Sequence, residues 1–198
     1  MTGAILHHSA APPPDDRPHD RLLVVTWNIE FARQTHRAIK AIESHEEVSR
    51  ADVVLLQEMD ERGTAEIADH LDLNYAYVAL SVHPQSDRNF GNAVLAPWPL
   101  GDVEVVPLPH RAAVQGQPRA ALAVTVGHPG ADIRAISVHT ETPVLSHRKR
   151  LRQFVTLGEL ADRWRHLPVL LGGDCNTASS RSLSAIDSEL ARHGLDRA

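Results

Sequence analysis

The most informative segment of the sequence reads Leu170-Leu171-Gly172-Gly173-Asp174-Cys175-Asn176-Thr177, an apolar run that ends in two glycines, an acid and an amide. In a β-strand, side chains two positions apart point to the same face. Asp174 and Asn176 are therefore predicted to share one space, with Cys175 turned away. The glycines allow another group to approach the backbone closely. A carboxylate beside a carboxamide suits a hard metal ion or a phosphate oxygen, whereas an Asx-type turn at a strand end is the alternative interpretation.

Other predicted strands also end in polar, metal-competent residues. Apolar, β-branched runs over residues 22–27, 52–57 and 133–138 end at Asn28, Glu58 and His139. Taken singly, Asn28 is a turn residue, Glu58 is an acid favoured by a helix N-terminus, and His139 is an exposed side chain. Agreement at four strand ends favours a site instead, because side chains gathered at one end of a sheet form one. An oxygen-rich set without cysteine ligands favours Mg²⁺ or Mn²⁺.

The composition limits the class of protein. The chain has 198 residues, 42% of them hydrophobic, which is enough for one domain with a substantial core. A net charge of −5 and 4% aromatic residues argue against tight, sequence-independent nucleic-acid binding, although they do not exclude nucleic acid as a substrate. The single cysteine, Cys175, excludes an intrachain disulfide and is typical of a reducing compartment. We predict a cytoplasmic protein with no signal peptide and no membrane span.

The order of the predicted elements indicates an α+β fold. Residues 1–20, which contain three consecutive prolines, are predicted to be a flexible leader. Helices are predicted over residues 34–49, 61–71 and 144–166, and a last helix near residues 183–190 is capped by Gly194. Strand–helix–strand units, a run of strands and a closing helix–strand–helix fit a four-layer sandwich of two mixed β-sheets flanked by helices.

The same segments resemble the motifs of the endonuclease/exonuclease/phosphatase superfamily. The matching segments are Thr26-Trp27-Asn28-Ile29 (first motif), Leu56-Gln57-Glu58 (metal carboxylate), Gly91-Asn92-Ala93-Val94-Leu95 (central strand), Ser137-Val138-His139-Thr140 (histidine motif) and Leu171-Gly172-Gly173-Asp174-Cys175-Asn176 (glycine–aspartate–any–asparagine, with Cys where an aromatic is common). Each motif alone is weak, but the ordered set is specific. The resemblance runs from about Leu22 to Asp196 and implies a single domain of this family over residues 21–198.

The resemblance implies a hydrolase of phosphodiester or phosphomonoester bonds, similar to nucleases and phosphodiesterases, that depends on Mg²⁺ or Mn²⁺. It also implies a role for each candidate residue: metal binding by Glu58 with Asn28 assisting, a hydrogen bond from His139 to a phosphate oxygen, orientation or activation of the attacking water by Asp174, stabilisation of the phosphoryl group by Asn176, and a phosphate contact by Arg119. Such hydrolysis needs charge neutralisation, donors on the phosphate oxygens and an aligned water.

One departure separates the sequence from the family pattern. The family ends in further strands with an Asp and a Ser-Asp-His motif, and no Ser-Asp-His occurs in this sequence. The C-terminal strands are therefore predicted to be missing, which would expose a sheet edge and apolar surface. Either the chain is a truncated product, or a second chain completes the sheet. His110 and His193 are present, but nothing in the sequence places them in the role of the missing histidine.

Three function classes follow from this sequence. The first is an active metal-dependent phosphoester hydrolase, with a small phosphodiester, a phospholipid head group or a nucleic acid as its substrate. The second is a catalytically impaired remnant of the family that binds metal or phosphate without turnover. The third is an interaction protein on an unrelated α/β fold, which predicts no effect of Mg²⁺ on thermal stability.

Overall fold

The computed structural model describes residues 4–7, 21–82, 88–111, 116–177 and 179–198, which form two mixed β-sheets flanked by helices. The strands are β1 Ile5–His7, β2 Val24–Asn28, β3 Val53–Met59, β4 Asn74–Val82, β5 Asn89–Ala96, β6 Leu100–Pro107, β7 Ala120–Val126, β8 Ile133–His139 and β9 Val169–Asp174. The helices are α1 Thr35–Glu43, α2 Glu46–Ser49, α3 Glu61–His70, α4 His147–Arg163 and α5 Ser180–Ala191. The predicted α+β class with two mixed sheets is confirmed.

Strand β3 shows how the layers are held together. Its side chains alternate between two apolar clusters: Val53 and Leu55 face the second sheet, whereas Val54 and Leu56 face the cluster that contains residues of α1 and α3. Because both faces are buried, the strand is a continuous apolar run in the sequence. A third cluster, which includes Phe154 of α4, covers the outer face of the second sheet.

The strand order brings two parallel pairs together at one side of the sandwich. The first sheet has the order β1-β4-β5-β3-β2, and the second has the order β6-β7-β8-β9. Strand β2 runs parallel to β3, and β8 runs parallel to β9. Across the two sheets, β3 contacts β8 and β2 contacts β9. The C-terminal ends of these four strands meet at one end of the sandwich, because the side chains of their last residues are in contact.

A set of buried hydrogen bonds fixes β3 against β8 close to these ends. Gln57 Nε2 donates to Ser137 Oγ at 3.2 Å, and Ser137 Oγ donates to the carbonyl oxygen of Leu56 at 3.2 Å. Asn92 Nδ2 donates to the carbonyl oxygen of Ala120 at 2.9 Å, which ties β5 to β7. Satisfied buried polar groups specify one arrangement of the elements that carry them. The relative position of the two sheets at the site is therefore set by hydrogen bonds as well as by apolar packing.

The prediction of a flexible leader over residues 1–20 is corrected at residues 5–7. These residues form β1, which pairs antiparallel with β4, with Ile5 opposite Tyr77. The ring of His7 also stacks on Tyr75, with ring centroids 5.1 Å apart. Three residues are too few for a hydrophobic period to show in the sequence. The rest of the predicted leader, apart from Ala4, lies outside the described residues.

The helix predictions are partly corrected. The predicted helix over residues 34–49 is two helices, because the backbone is extended at His45 and the Ser44 hydroxyl donates to the carbonyl oxygen of Ala41, a local bond that competes with helix continuation. The helix predicted over residues 144–166 is shorter in the structure, where α4 covers only His147–Arg163. The Gly194 cap is confirmed: Gly194 has φ +74°, and the Leu195 N–H donates to the carbonyl oxygen of Leu190. Within the part of the chain that the structure describes, no helix is both long and apolar enough to cross a membrane.

Candidate active site

Side chains from four strand ends form one cluster. Asn28 Nδ2 donates to Glu58 Oε1 at 3.2 Å and to Asp174 Oδ2 at 2.9 Å, the second partner lying 146 positions away in the sequence. His139 Nδ1 lies 3.8 Å from Glu58 Oε1, and His139 Nε2 lies 3.8 Å from Asp174 Oδ2. The structure therefore brings together all four strand-end residues that the sequence singles out.

Glu58 reaches this cluster through an irregularity in β3. The pairing of β3 with β5 shifts register between Gln57 and Met59, and Glu58 has φ +57°. A bulge of this kind changes the direction of a side chain at the end of a strand. The left-handed conformation of a non-glycine residue costs on the order of 1 kcal/mol or more, and the Ile29 N–H helps to hold it by donating to the carbonyl oxygen of Gln57 at 3.0 Å.

Asp174 and Asn176 meet through a turn rather than through strand alternation. Strand β9 ends at Asp174, whose Oδ1 accepts the Asn176 N–H at 2.9 Å, and Asn176 has φ +44°. The Asx-type turn is therefore present, and it forms part of the site instead of excluding it. Asn176 Nδ2 donates to the carbonyl oxygen of Thr140 at 3.0 Å. Cys175 is turned into an apolar cluster, as predicted, and burial, with the charge of Asp174, raises the pKa of its thiol to about 11.

The two glycines serve close packing within the protein. A Cβ atom on Gly173, which has φ +148°, would lie 1.8 Å from the carbonyl oxygen of Val138 on β8. A Cβ atom on Gly172 would lie 2.6 Å from Leu55 Cδ1 of the other sheet. The predicted close approach is confirmed, and the approaching groups are the neighbouring strand and the facing sheet.

The hydrogen bonding of His139 defines its tautomer. Arg119 Nη1 lies 3.3 Å from His139 Nδ1, and a guanidinium can only donate. Nδ1 is therefore the acceptor, and Nε2 carries the proton on the side of Asp174. Burial and, to a smaller extent, the positive charge of Arg119 lower the pKa of His139 to about 4, although the charges of Asp174 and Glu141 oppose this shift. The imidazole is thus a neutral hydrogen-bond donor at neutral pH.

Arg119 lies behind this imidazole in a buried ion pair that the sequence analysis missed. Arg119 Nε donates to Glu141 Oε2 at 3.1 Å, and the two side chains are only 9% and 3% exposed. Burial raises the pKa of Glu141, but hydrogen bonds from Thr142 and Arg119 outweigh it, so the pKa lies below its usual value. The position of Arg119 makes it a positioning residue for His139, and its predicted phosphate contact stays a prediction. In the sequence, Glu141 could have been noticed as an acidic residue two positions after His139.

The chemistry of the donors fits a hard divalent ion. Asn28, Glu58 and Asp174 carry oxygen donors, which Mg²⁺ and Mn²⁺ prefer. The Asn28 Oδ1 accepts the Glu30 N–H at 3.0 Å, so its Nδ2 faces the carboxylates; the predicted role of Asn28 as a metal ligand stays a prediction. Within the described ranges, no three His, Cys, Asp or Glu side chains are grouped to hold a metal. Mg²⁺ commonly binds only one or two carboxylates and keeps several water ligands. Glu58 and Asp174 would supply that number of carboxylates.

His193 belongs to the packing of α5 on α4. Its Nδ1 lies 2.7 Å from Asp162 Oδ2, and a Cβ atom at Gly158 would collide with its ring. His110 has a buried Nε2 without a hydrogen-bond partner among the described residues.

Comparison with known proteins agrees with this architecture. The model of the Endonuclease/Exonuclease/phosphatase family matches residues 25–195, and the chain therefore belongs to that family, whose members are metal-dependent phosphoester hydrolases. No curated protein matches the chain in sequence.

Solved structures share the fold at low sequence identity. Sphingomyelinase C from Streptomyces griseocarneus superposes with a TM-score of 0.66 at 20% identity, over 85% of this chain and 69% of that one. A beta toxin variant from Staphylococcus aureus with bound magnesium ions gives 0.65 at 13%, over 84% and 69%. A humanized D. rerio TDP2 gives 0.58 at 18%, over 89% and 68%. At these identities the likeness concerns the fold.

Proposed function

We propose that this chain hydrolyses phosphodiester or phosphomonoester bonds in a reaction that depends on Mg²⁺ or Mn²⁺. The observation that carries the proposal is the cluster of Asn28, Glu58, His139 and Asp174 at four strand ends of two sheets. Asn28 is hydrogen-bonded to both carboxylates, and His139 lies 3.8 Å from each of them. The magnesium ions of the beta toxin variant support the choice of cofactor.

Each member of the site has a chemical task in this proposal. Glu58, assisted by Asn28, would hold the metal ion, which supplies charge neutralisation on the phosphate oxygens. The Nε2–H of His139 donates a hydrogen bond to a non-bridging oxygen, where negative charge develops during the reaction. Asp174 orients the attacking water and accepts its proton. Asn176 donates a second hydrogen bond to the phosphoryl group.

The test compares the hydrolysis of bis(p-nitrophenyl) phosphate and p-nitrophenyl phosphate, with Mg²⁺, with Mn²⁺ and with EDTA. Glu58→Gln and Asp174→Asn are each expected to lower the diester rate by about 100-fold or more, the effect of removing one preorganised electrostatic group. Arg165→Gln is the matched control: Arg165 follows α4, at the opposite end of the sandwich from the cluster, is 76% exposed and pairs only with Asp162 among the described residues.

The outcomes separate the function classes. Equal rates for the wild-type chain and Glu58→Gln would refute the proposal. A thermal shift with Mg²⁺ that depends on Glu58, combined with no turnover of either ester, would instead support a binding protein that does not catalyse.

A further inference from the structure

A cavity of about 330 Å³ opens directly beside the active-site cluster, between β2 and α1. Its lining includes Trp27, Asn28, Glu30, Arg33, Arg37 and Ala41. Asn28 lines this cavity and also belongs to the cluster, so the cavity adjoins the cluster. A substrate whose scissile phosphate lies at the cluster can therefore extend into the cavity.

The charges that line the cavity favour an anion. Two guanidinium groups, Arg33 and Arg37, oppose one carboxylate, Glu30. The distance between Arg33 Nη1 and Glu30 Oε1 is 4.0 Å, and these side chains are 52% and 79% exposed, so their mutual attraction is weak. Arg37 stands in the first turn of α1, which contains no acidic residue. Guanidinium groups match the geometry of phosphate oxygens with paired N–H donors.

The backbone that connects the cluster to this cavity is strained. Three consecutive residues, Glu30–Ala32, have φ values of +44°, +60° and +49°, a conformation that non-glycine residues rarely adopt. The turn is held by the Glu30 N–H, which donates to Asn28 Oδ1, and by an edge-to-face contact of Phe31 with Phe90 at 5.5 Å. Such strain concentrates at functional sites. Here the strained turn lies between Asn28, which belongs to the cluster, and Arg33, which lines the cavity.

The geometry points to a substrate that carries a second phosphate group next to the scissile phosphodiester, with Arg33 and Arg37 binding that second phosphate. This inference rests on the proposed function, since it assigns the substrate class of the same site. Trp27, which lines the same cavity and is 37% exposed, offers a flat aromatic surface to the bound substrate. The shared chemistry is the second phosphate, whether it comes from a polynucleotide backbone or from a small polyphosphorylated ester.

The test uses two chromogenic esters that differ only in this phosphate: thymidine 5′-(p-nitrophenyl phosphate), with and without a 3′-phosphate. The ratio of their kcat/KM values, with the 3′-phosphate over without, is expected to be about tenfold or more in the wild-type chain. Arg33→Gln and Arg37→Gln should each lower this ratio several-fold, because a charge-assisted hydrogen bond is lost. Arg165→Gln removes the same charge far from the cavity and should leave the ratio unchanged. A wild-type ratio near one, or a ratio that falls equally in Arg165→Gln, would overturn the inference.

A third ester, extended by a nucleotide at the 3′ position, identifies the source of the phosphate. A further gain from the nucleotide assigns a polynucleotide, and no gain beyond that of the bare phosphate assigns a small ester; either result supports the inference. A gain from the nucleotide in Arg33→Gln and Arg37→Gln as large as in the wild-type chain would overturn it, because the base would then account for binding.

A binding measurement separates this inference from the proposed function. Calorimetry with Mg²⁺ should show that thymidine 3′,5′-bisphosphate binds more tightly than thymidine 5′-monophosphate, by about tenfold, and that Arg37→Gln removes most of the difference. Preferential binding without turnover would overturn the proposed function and keep the cavity assignment. Turnover that depends on Glu58, combined with equal affinity for the two nucleotides, would overturn the cavity assignment alone.

Discussion

The buried ion pair behind His139 gives the sharpest test of how this site is built. Arg119→Met removes the cation and leaves the Glu141 carboxylate in place, with side-chain exposures of 9% and 3% before the change. Removing one partner of a buried pair typically costs about 3–5 kcal/mol, because the remaining charge is uncompensated. Glu141 Oε1 keeps its hydrogen bonds from the Thr142 N–H and hydroxyl at 2.9 and 3.0 Å. We therefore expect the lower end of that range, about 3 kcal/mol.

The double variant Arg119→Met/Glu141→Gln separates the pair from its surroundings. Glutamine still accepts the Thr142 N–H but carries no charge, so the double variant should lose only about 1 kcal/mol, as expected when a buried pair is replaced by neutral groups. Urea unfolding at pH 7 of the wild type, both single variants and the double variant gives the coupling energy. Additive effects, or a loss below about 1 kcal/mol in Arg119→Met with an unchanged denaturant dependence, would refute this account of the pair.

The pH dependence of stability provides an independent reading of the same pair. The pKa of Glu141 lies below 4.5, its ordinary value. Between the folded pKa and 4.5 the unfolded chain therefore binds the proton more readily, and stability rises with pH. The contribution is complete above pH 4.5 and is lost as the pH falls through the folded pKa. Arg119→Met removes a cause of the depressed pKa, so its stability should fall less steeply across this window than that of the wild type.

Two further predictions concern the metal and the glycine pair. Free Mg²⁺ at 100 times its dissociation constant should stabilise the wild type by about 2.7 kcal/mol, measured as a rise in Tm that Glu58→Gln abolishes; a rise of the same size in that variant would contradict the metal assignment. Gly173→Ala should cost about 3 kcal/mol or more in urea unfolding, since its Cβ would meet the Val138 carbonyl oxygen in a glycine conformation. Gly101→Ala, where a Cβ meets nothing within 4 Å, should stay within about 1 kcal/mol of the wild type.

The sequence by itself determined the strands of the core and the residues at their ends. Strands such as β3 and β8 are buried on every residue but Glu58, and strands covered on both faces are mostly apolar in sequence. Buried polar residues such as Gln57 and Ser137 occur within them, but the apolar run as a whole stops close to the strand end. Asn28, Glu58, His139 and Asp174 were identifiable for this reason, because each follows or closes a run of this kind.

Only the tertiary structure decided how these ends meet. The hydrogen bond from Asn28 to Asp174 joins residues 146 positions apart, and it depends on strand order and on the contact between two sheets, which local patterns do not encode. The bulge at Glu58 and the pairing of Arg119 with Glu141 likewise depend on contacts between separate strands. Hydrophobic periodicity indicates which residues of a segment are buried. Predicting a site also requires knowing which segments pack against each other, and a local pattern does not contain that information.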